Sequence, residues 1–234
     1  MIKVVLFDLD GTLLPMDQRL FTKTYFGLLA QRLARHGYEP QKFIEAIWTG
    51  TAAMVKNNGE KTNEEVFWNA LAEIYGAGVK EDIEKFDEFY REEFDGVRES
   101  CGFDPKAAET VRKLKEKGLR VALATNPIFP RIATQKRIAW AGLSPDEFEL
   151  YTTYETSRHC KPNPYYYIDI LREMGVKAEE CLMAGNDVSE DMIAKEIGMD
   201  VFLLTACLIN KEEKDITAFP QGNFDDLLAY IENK

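Results

Sequence analysis

Lys3-Val-Val-Leu-Phe-Asp-Leu-Asp-Gly-Thr-Leu13 decides how this chain is read. Its four successive apolar residues, Val4 to Phe7, run continuously rather than alternating with polar ones, the pattern of a strand buried on both faces of a parallel sheet. Behind them stand two carboxylates one residue apart, Asp8 and Asp10, then Gly11, which lets the chain turn. Like charges so close at a strand end are costly unless something compensates them, and a hard cation is the simplest compensation. Solvated aspartates at an ordinary strand terminus are the plain alternative. The apolar run ahead and Gly11-Thr12 behind favour a site.

Four further apolar runs resemble the first: 120–126 (RVALATN), 149–154, 181–185 (CLMAG) and 201–205 (VFLLT). Helical patterns with clear stops lie between them. Asp104-Pro105 supplies an N-cap and first-turn proline, Ala108, Val111 and Leu114 share a face, and Gly118 follows as a C-terminal cap. Helices are likewise expected over 130–141, 164–174 and 189–197, ended by Gly142, Gly175 and Gly198. Strand-helix-strand repeats with short connections predict right-handed crossovers, hence an open, doubly wound α/β fold with a parallel sheet. Ligands of such sheets bind at the carboxyl ends of the strands.

Residues 16–100 break the rhythm. Ile83, Phe86, Tyr90, Phe94 and Val97 fall at steps of three or four residues, as do Val66, Phe67, Ala70, Leu71 and Ile74, so a helical insertion follows the first strand. The expected organisation is an α/β core made of 1–15 and 101–234 with an inserted helical domain at 16–100. The acidic run 81–99 reads as the solvated face of that insertion. Across 234 residues, 45% hydrophobic and 29% charged content excludes a disordered or fibrous chain. A net charge of −11 disfavours nucleic acid and anionic membranes as partners and requires a local positive site for any anionic substrate. Cys101, Cys160, Cys181 and Cys207 form no Cys-x-x-Cys pair and read as reduced thiols. No apolar run is long enough for a membrane span or signal peptide, so a soluble cytoplasmic protein is expected.

Phe7-Asp-Leu-Asp-Gly-Thr-Leu13 resembles the first motif of the haloacid dehalogenase superfamily, whose members are mostly magnesium-dependent phosphatases. The resemblance extends through the core. Thr125 ends a strand where that family places a Ser or Thr, Lys161 before Pro162 matches its third motif, and Gly185-Asn-Asp-Val-Ser-Glu-Asp191 matches its acidic fourth motif. It therefore implies a Rossmann-like core, Mg2+ as cofactor, and a helical cap between the first and second motifs. The fourth motif departs from the usual Gly-Asp, because Asn186 follows Gly185. Strict alignment makes Asn186 the metal ligand and a one-residue shift makes it Asp187, while Asp191 either reaches the outer metal shell or positions Lys161. The metal set implied is thus Asp8, Asp10 through its main-chain carbonyl, Asn186 or Asp187, and Asp191.

These positions suit hydrolysis of a small phosphate monoester. Asp8 attacks phosphorus to give an aspartyl-phosphate, and Asp10 serves as general acid and then base. Lys161 and Thr125 hold the phosphoryl oxygens, and Asn126 orients either substrate or the turn. The same core serves phosphomutases, and phosphonate-cleaving relatives with a cap lysine, for which Lys56 or Lys61 is available. A dehalogenase normally lacks the second aspartate. A receiver-type signalling module also phosphorylates an aspartate but is about half this length. His36 and His159 are too far apart for a triad, and Arg131 and Lys136 read as helix-surface charge. Trp48, Thr49 and Lys56 fall near a helix end that would face the core. The expected partner is a small phosphorylated metabolite.

Overall fold

The computed structural model describes residues 1–234. Six strands form one parallel sheet: β1 (Val4–Phe7), β2 (Arg120–Leu123), β3 (Leu150–Tyr151), β4 (Cys181–Gly185), β5 (Asp200–Leu204) and β6 (Gln221–Gly222). Their order is β3-β2-β1-β4-β5-β6. Phe7 lies opposite Leu123 on one side and Ala184 on the other. Sheet order therefore reverses beside the strand that delivers Asp8, which is where crevices open in such sheets.

Eight α-helices accompany the sheet: α1 (Gln18–Ala34), α2 (Pro40–Val55), α3 (Asn63–Tyr75), α4 (Ile83–Glu92), α5 (Pro105–Glu116), α6 (Arg131–Trp140), α7 (Pro164–Met174) and α8 (Phe224–Glu232). The first four follow one another between β1 and α5 without a strand. The two connections to this insertion lie side by side: Met16 bridges Cys101 in antiparallel fashion and Gly102 N donates to Pro15 O at 2.7 Å. On one sheet face Val4, Leu6, Met183 and Leu203 pack with Tyr166, Tyr167 and Ile170 of α7. On the other, Val5 and Phe7 join Val111 and Leu114 of α5 in a core that continues into the insertion through Phe43, Leu71, Phe89 and Phe94.

Several expected elements are shorter or differently built. The 149–154 run is strand only at Leu150–Tyr151, because the residues beyond it leave the ladder: Thr152 Oγ1 donates to Thr125 O at 2.6 Å and Tyr154 N to Phe129 O at 3.1 Å. The helix expected over 189–197 is a 3-10 turn at Met192–Ile197, preceded by a loop pinned by aspartate side chains. β6 and α8 were not foreseen, although Asn223 and Asp226 form a capping box that announces α8. The acidic run is more than a solvated face. Glu88, Glu92 and Glu93 accept from Arg32 of α1, and Asp95 accepts from Lys136 and from Trp140 Nε1 of α6. No helix is long and apolar enough to cross a membrane, and all four cysteines are unpaired.

Candidate active site

The carboxyl ends of β1, β2 and β4, with the loop between β3 and α7 that carries Lys161, bring the residues singled out from sequence to one place. Asp8 follows β1 directly, and its amide donates to Ala184 O of β4 at 3.0 Å. Gly11, at φ +89°, turns the chain and approaches Asn186 so closely that a Cβ would lie 2.3 Å from its Nδ2. Thr12 Oγ1 then donates to Asn186 Oδ1 at 2.9 Å, tying the first motif to the fourth.

Lys161 is only 1% exposed. Its Nζ donates to Asp8 Oδ1 at 2.9 Å and to Asp191 Oδ1 at 2.6 Å. Burial opposes its charge, but the Asp191 and Asp8 carboxylates more than offset this and hold the ammonium well above the usual lysine range. Asp191 Oδ2 accepts from Asp187 N at 2.9 Å, so each of its oxygens accepts one hydrogen bond, one of them from Lys161. Gly185 permits this arrangement: a Cβ there would sit 2.1 Å from Asp191 Oδ2.

Thr125 is buried. Its carbonyl accepts from Thr152 Oγ1 and from Tyr166 Oη, which fixes the end of β2 while its hydroxyl makes no hydrogen bond within the chain. Asn126 braces its neighbours: its Oδ1 accepts from Lys161 N at 3.2 Å and its Nδ2 donates to Glu190 Oε2 at 3.0 Å. Burial pushes the Glu190 carboxyl up to about 7. Asp187 Oδ1 accepts from Ser189 N and Glu190 N, the capping role that a short acidic loop often plays.

Sequence reading missed Arg137. It is fully buried on α6, its guanidinium lies 4.4 Å from the centre of the Phe129 ring, and its Nη1 donates to Asp10 Oδ2. The other oxygen, Asp10 Oδ1, is buried without a partner. Burial pushes the Asp10 carboxyl up, against the opposing pull of Arg137. A signal existed in the sequence: Arg137 falls four residues after Ala133 and beside Ile138, on the inward face of an amphipathic helix, where an unpaired cation would be costly.

Asp8, Asp10, Thr125, Asn126, Asn186, Asp187, Glu190 and Asp191 all line one cavity of about 340 Å³. Its floor brings together five carboxylates, with Lys161 and Arg137 as the cations paired to them. No three acidic, His or Cys side chains converge as a finished metal cage. Magnesium does not require one, since it is usually held by one or two carboxylates together with waters and substrate phosphate. The all-oxygen donors and the excess of negative charge fit such an ion.

Other candidates lie elsewhere. His159 Nδ1 pairs with Asp169 Oδ2 at 2.6 Å, and Arg131 lines the same separate hollow beside β3. Lys136 is held by Asp95 and Arg91 O. In α2, Trp48 and Thr51 line the cavity, while Thr49 bonds back to Glu45 O within its own helix. Lys56 and Lys61 are exposed and do not line it.

The chain is similar to proteins named as phosphatases. A phosphoglycolate phosphatase of Pectobacterium atrosepticum is 28% identical over 197 residues, covering 84% of this chain and 77% of its own. A ribulose-1,5-bisphosphate 5-phosphatase of Halopiger xanaduensis is 25% identical over 223 residues, covering 93% of this chain and 89% of its own. Among solved structures, a 2-haloacid dehalogenase of Pseudomonas syringae pv. Tomato superposes with a TM-score of 0.64 at 22% identity, covering 100% of this chain and 99% of its own, so the fold alone does not choose the reaction. A family model for haloacid dehalogenase-like hydrolases matches residues 2–198, and the chain belongs to that family.

Proposed function

We propose that the protein is a magnesium-dependent phosphatase that hydrolyses a small phosphate monoester through an aspartyl-phosphate on Asp8. The observation that carries this reading is the meeting of four chain segments around Asp8: Lys161 on its Oδ1, Asp10 two residues on, Thr125 at the neighbouring strand end, and Asn186 bonded to Thr12. Asp10 separates this reading from dehalogenation, which needs no second carboxylate. The exposure of Lys56 and Lys61 away from the cavity removes the support for an imine-forming phosphonate hydrolase.

Asp8 Oδ2, which makes no hydrogen bond within the chain, attacks phosphorus as the bond to the leaving oxygen breaks. Asp10 Oδ1, the oxygen not held by Arg137, gives its proton to that leaving oxygen. A water then attacks the aspartyl-phosphate while Asp10 takes up its proton, and cleavage of the Asp8–phosphorus bond releases inorganic phosphate and restores the carboxylate. Lys161 holds positive charge against the phosphoryl oxygens, and the Thr125 hydroxyl with nearby main-chain amides donates hydrogen bonds to them. Magnesium, held by Asp8, the Asp10 carbonyl and Asn186 or Asp187, would neutralise the phosphoryl charge. The insertion 16–100 acts as a cap over a core of 1–15 and 101–234, excluding water and contacting the leaving group.

Asp8→Asn keeps the shape of the site and removes the nucleophile. Phosphate release from a panel of phosphate monoesters in Mg2+ is expected for the native protein and is expected to fall at least about a thousandfold in this variant, within the range set by losing a catalytic nucleophile. Full turnover by Asp8→Asn would overturn the assignment.

A further inference from the structure

The cavity that starts at Asp8 is charged at its floor and apolar above it. The insertion contributes thirteen of its lining residues, and none carries a charge. Six of them, Phe21, Tyr25, Phe67, Trp68, Phe86 and Tyr90, are buried aromatics. The polar groups of this wall are uncharged: Tyr25 and Tyr90 bond each other at 2.8 Å, Thr51 Oγ1 donates to Ile47 O at 2.8 Å, Gln18 and Thr22 also line the wall, and Trp68 Nε1 is buried there without a partner. Lys161 and Arg137 are committed to carboxylates at the base. Lys211 is the lone basic residue lining the cavity, and it is exposed. With Phe26 and Trp48 it also lines the more open groove outside, so it stands at the mouth.

A second anion on the leaving group would enter this upper chamber without a partner. Burying an unpaired carboxylate or phosphate is strongly unfavourable, whereas a ring gains contact with aromatic faces. We infer that the leaving group is an uncharged, mainly apolar, ring-sized alcohol, unlike the esters named for the relatives above, which carry a second anionic group. This rests on the phosphatase reading and adds the substrate class to it.

Benzyl phosphate and 2-phosphoglycolate are both esters of primary alcohols, so their ratio reads the cavity rather than leaving-group chemistry. In Mg2+ the expected kcat/KM is at least about tenfold higher for benzyl phosphate, the discrimination one mismatched polar group gives. Thr51→Lys places an ammonium on the apolar wall, with the Thr51 hydroxyl bonded only within its own helix. It is expected to shift the ratio toward phosphoglycolate by about tenfold or more. Hydrolysis of both esters with phosphoglycolate equal or preferred would overturn the inference and leave the phosphatase standing. Hydrolysis of no phosphate monoester would overturn the phosphatase reading itself. Binding then decides the cavity's preference: benzylphosphonate should quench Trp48 and Trp68 fluorescence at lower concentration than phosphonoacetate, and equal or weaker binding overturns the inference.

Discussion

At the scale of single residues, the site is built on two buried cations with different tasks. Lys161 links Asp8 to Asp191, and Arg137 links Asp10 to α6. Arg137 does not line the cavity, so it acts through Asp10 as a positioning residue. Its planar fork holds one carboxylate oxygen and leaves the other free for proton transfer. Arg137→Ala should lower kcat by about ten- to a hundredfold with little change in KM, because a displaced acid hurts the chemistry more than the binding. It should also cost about 1–3 kcal/mol in urea unfolding, since the partly exposed Asp10 side chain loses its hydrogen-bond partner. Arg137→Lys should recover part of kcat. A folded Arg137→Ala variant with native kcat would exclude the positioning role. Asp8, Asp10, Thr125 and Asn186 were legible because each sits at or just beyond a strand end within a recognisable short pattern, and Lys161 because it stands before a proline in another. Arg137 was not read because its partner lies 127 residues away.

At the scale of elements, the insertion is attached at α3 as well as at its two chain connections. The first turn of α3 docks onto the loop that carries Lys161: Asn63 N donates to Ser157 O at 2.8 Å and Glu64 N to Tyr154 O at 2.9 Å. Asn63 is fully buried, and its Nδ2 donates to Pro127 O at 3.1 Å and to Cys160 Sγ at 3.3 Å, while its Oδ1 accepts from Asn57 Nδ2. One side chain thus joins the insertion to the segments following β2 and preceding α7. Asn63→Ala leaves those groups unsatisfied and should destabilise the fold by about 1–3 kcal/mol. It should also raise protease cleavage within 57–63 under native conditions, and unchanged cleavage together with unchanged stability would show that this contact is idle. The helices of the insertion were legible as periodic apolar positions, but this docking was not, because hydrogen bonds from an Asn to distant carbonyls leave no periodic trace. β3 and the 189–197 turn were overread for a related reason: side-chain bonds from Thr152, Asp187 and Asp191 replace backbone pairing that the apolar pattern suggests.

At the scale of the whole molecule, the question is whether insertion and sheet form one cooperative unit. Their cores are continuous. Phe129, between β2 and α6, lies 5.3 Å from Tyr25 and 6.2 Å from Phe21, and Phe94 lies 5.1 Å from Trp140. Each such aromatic contributes about 1.5–3 kcal/mol when buried, so the seam as a whole is worth more than a typical hinge contact. A single unfolding transition is therefore expected, reported alike by circular dichroism and by tryptophan fluorescence from Trp68 in the insertion and Trp140 in the core. On the proposed reading Mg2+ binds on the floor of the cavity that Phe21, Tyr25 and Phe129 also line, where carboxylates outnumber their cations. At a hundredfold excess over its Kd, a cation bound only by the folded state stabilises by about 2.7 kcal/mol. For a chain of this size that raises Tm by roughly 5–10 °C. Because the cores are fused, the rise should move the signals of Trp68 and Trp140 together, and Asp8→Asn should reduce it in both. Two separated transitions, with Mg2+ shifting only the one reported by Trp140, would show that the insertion unfolds independently of the sheet.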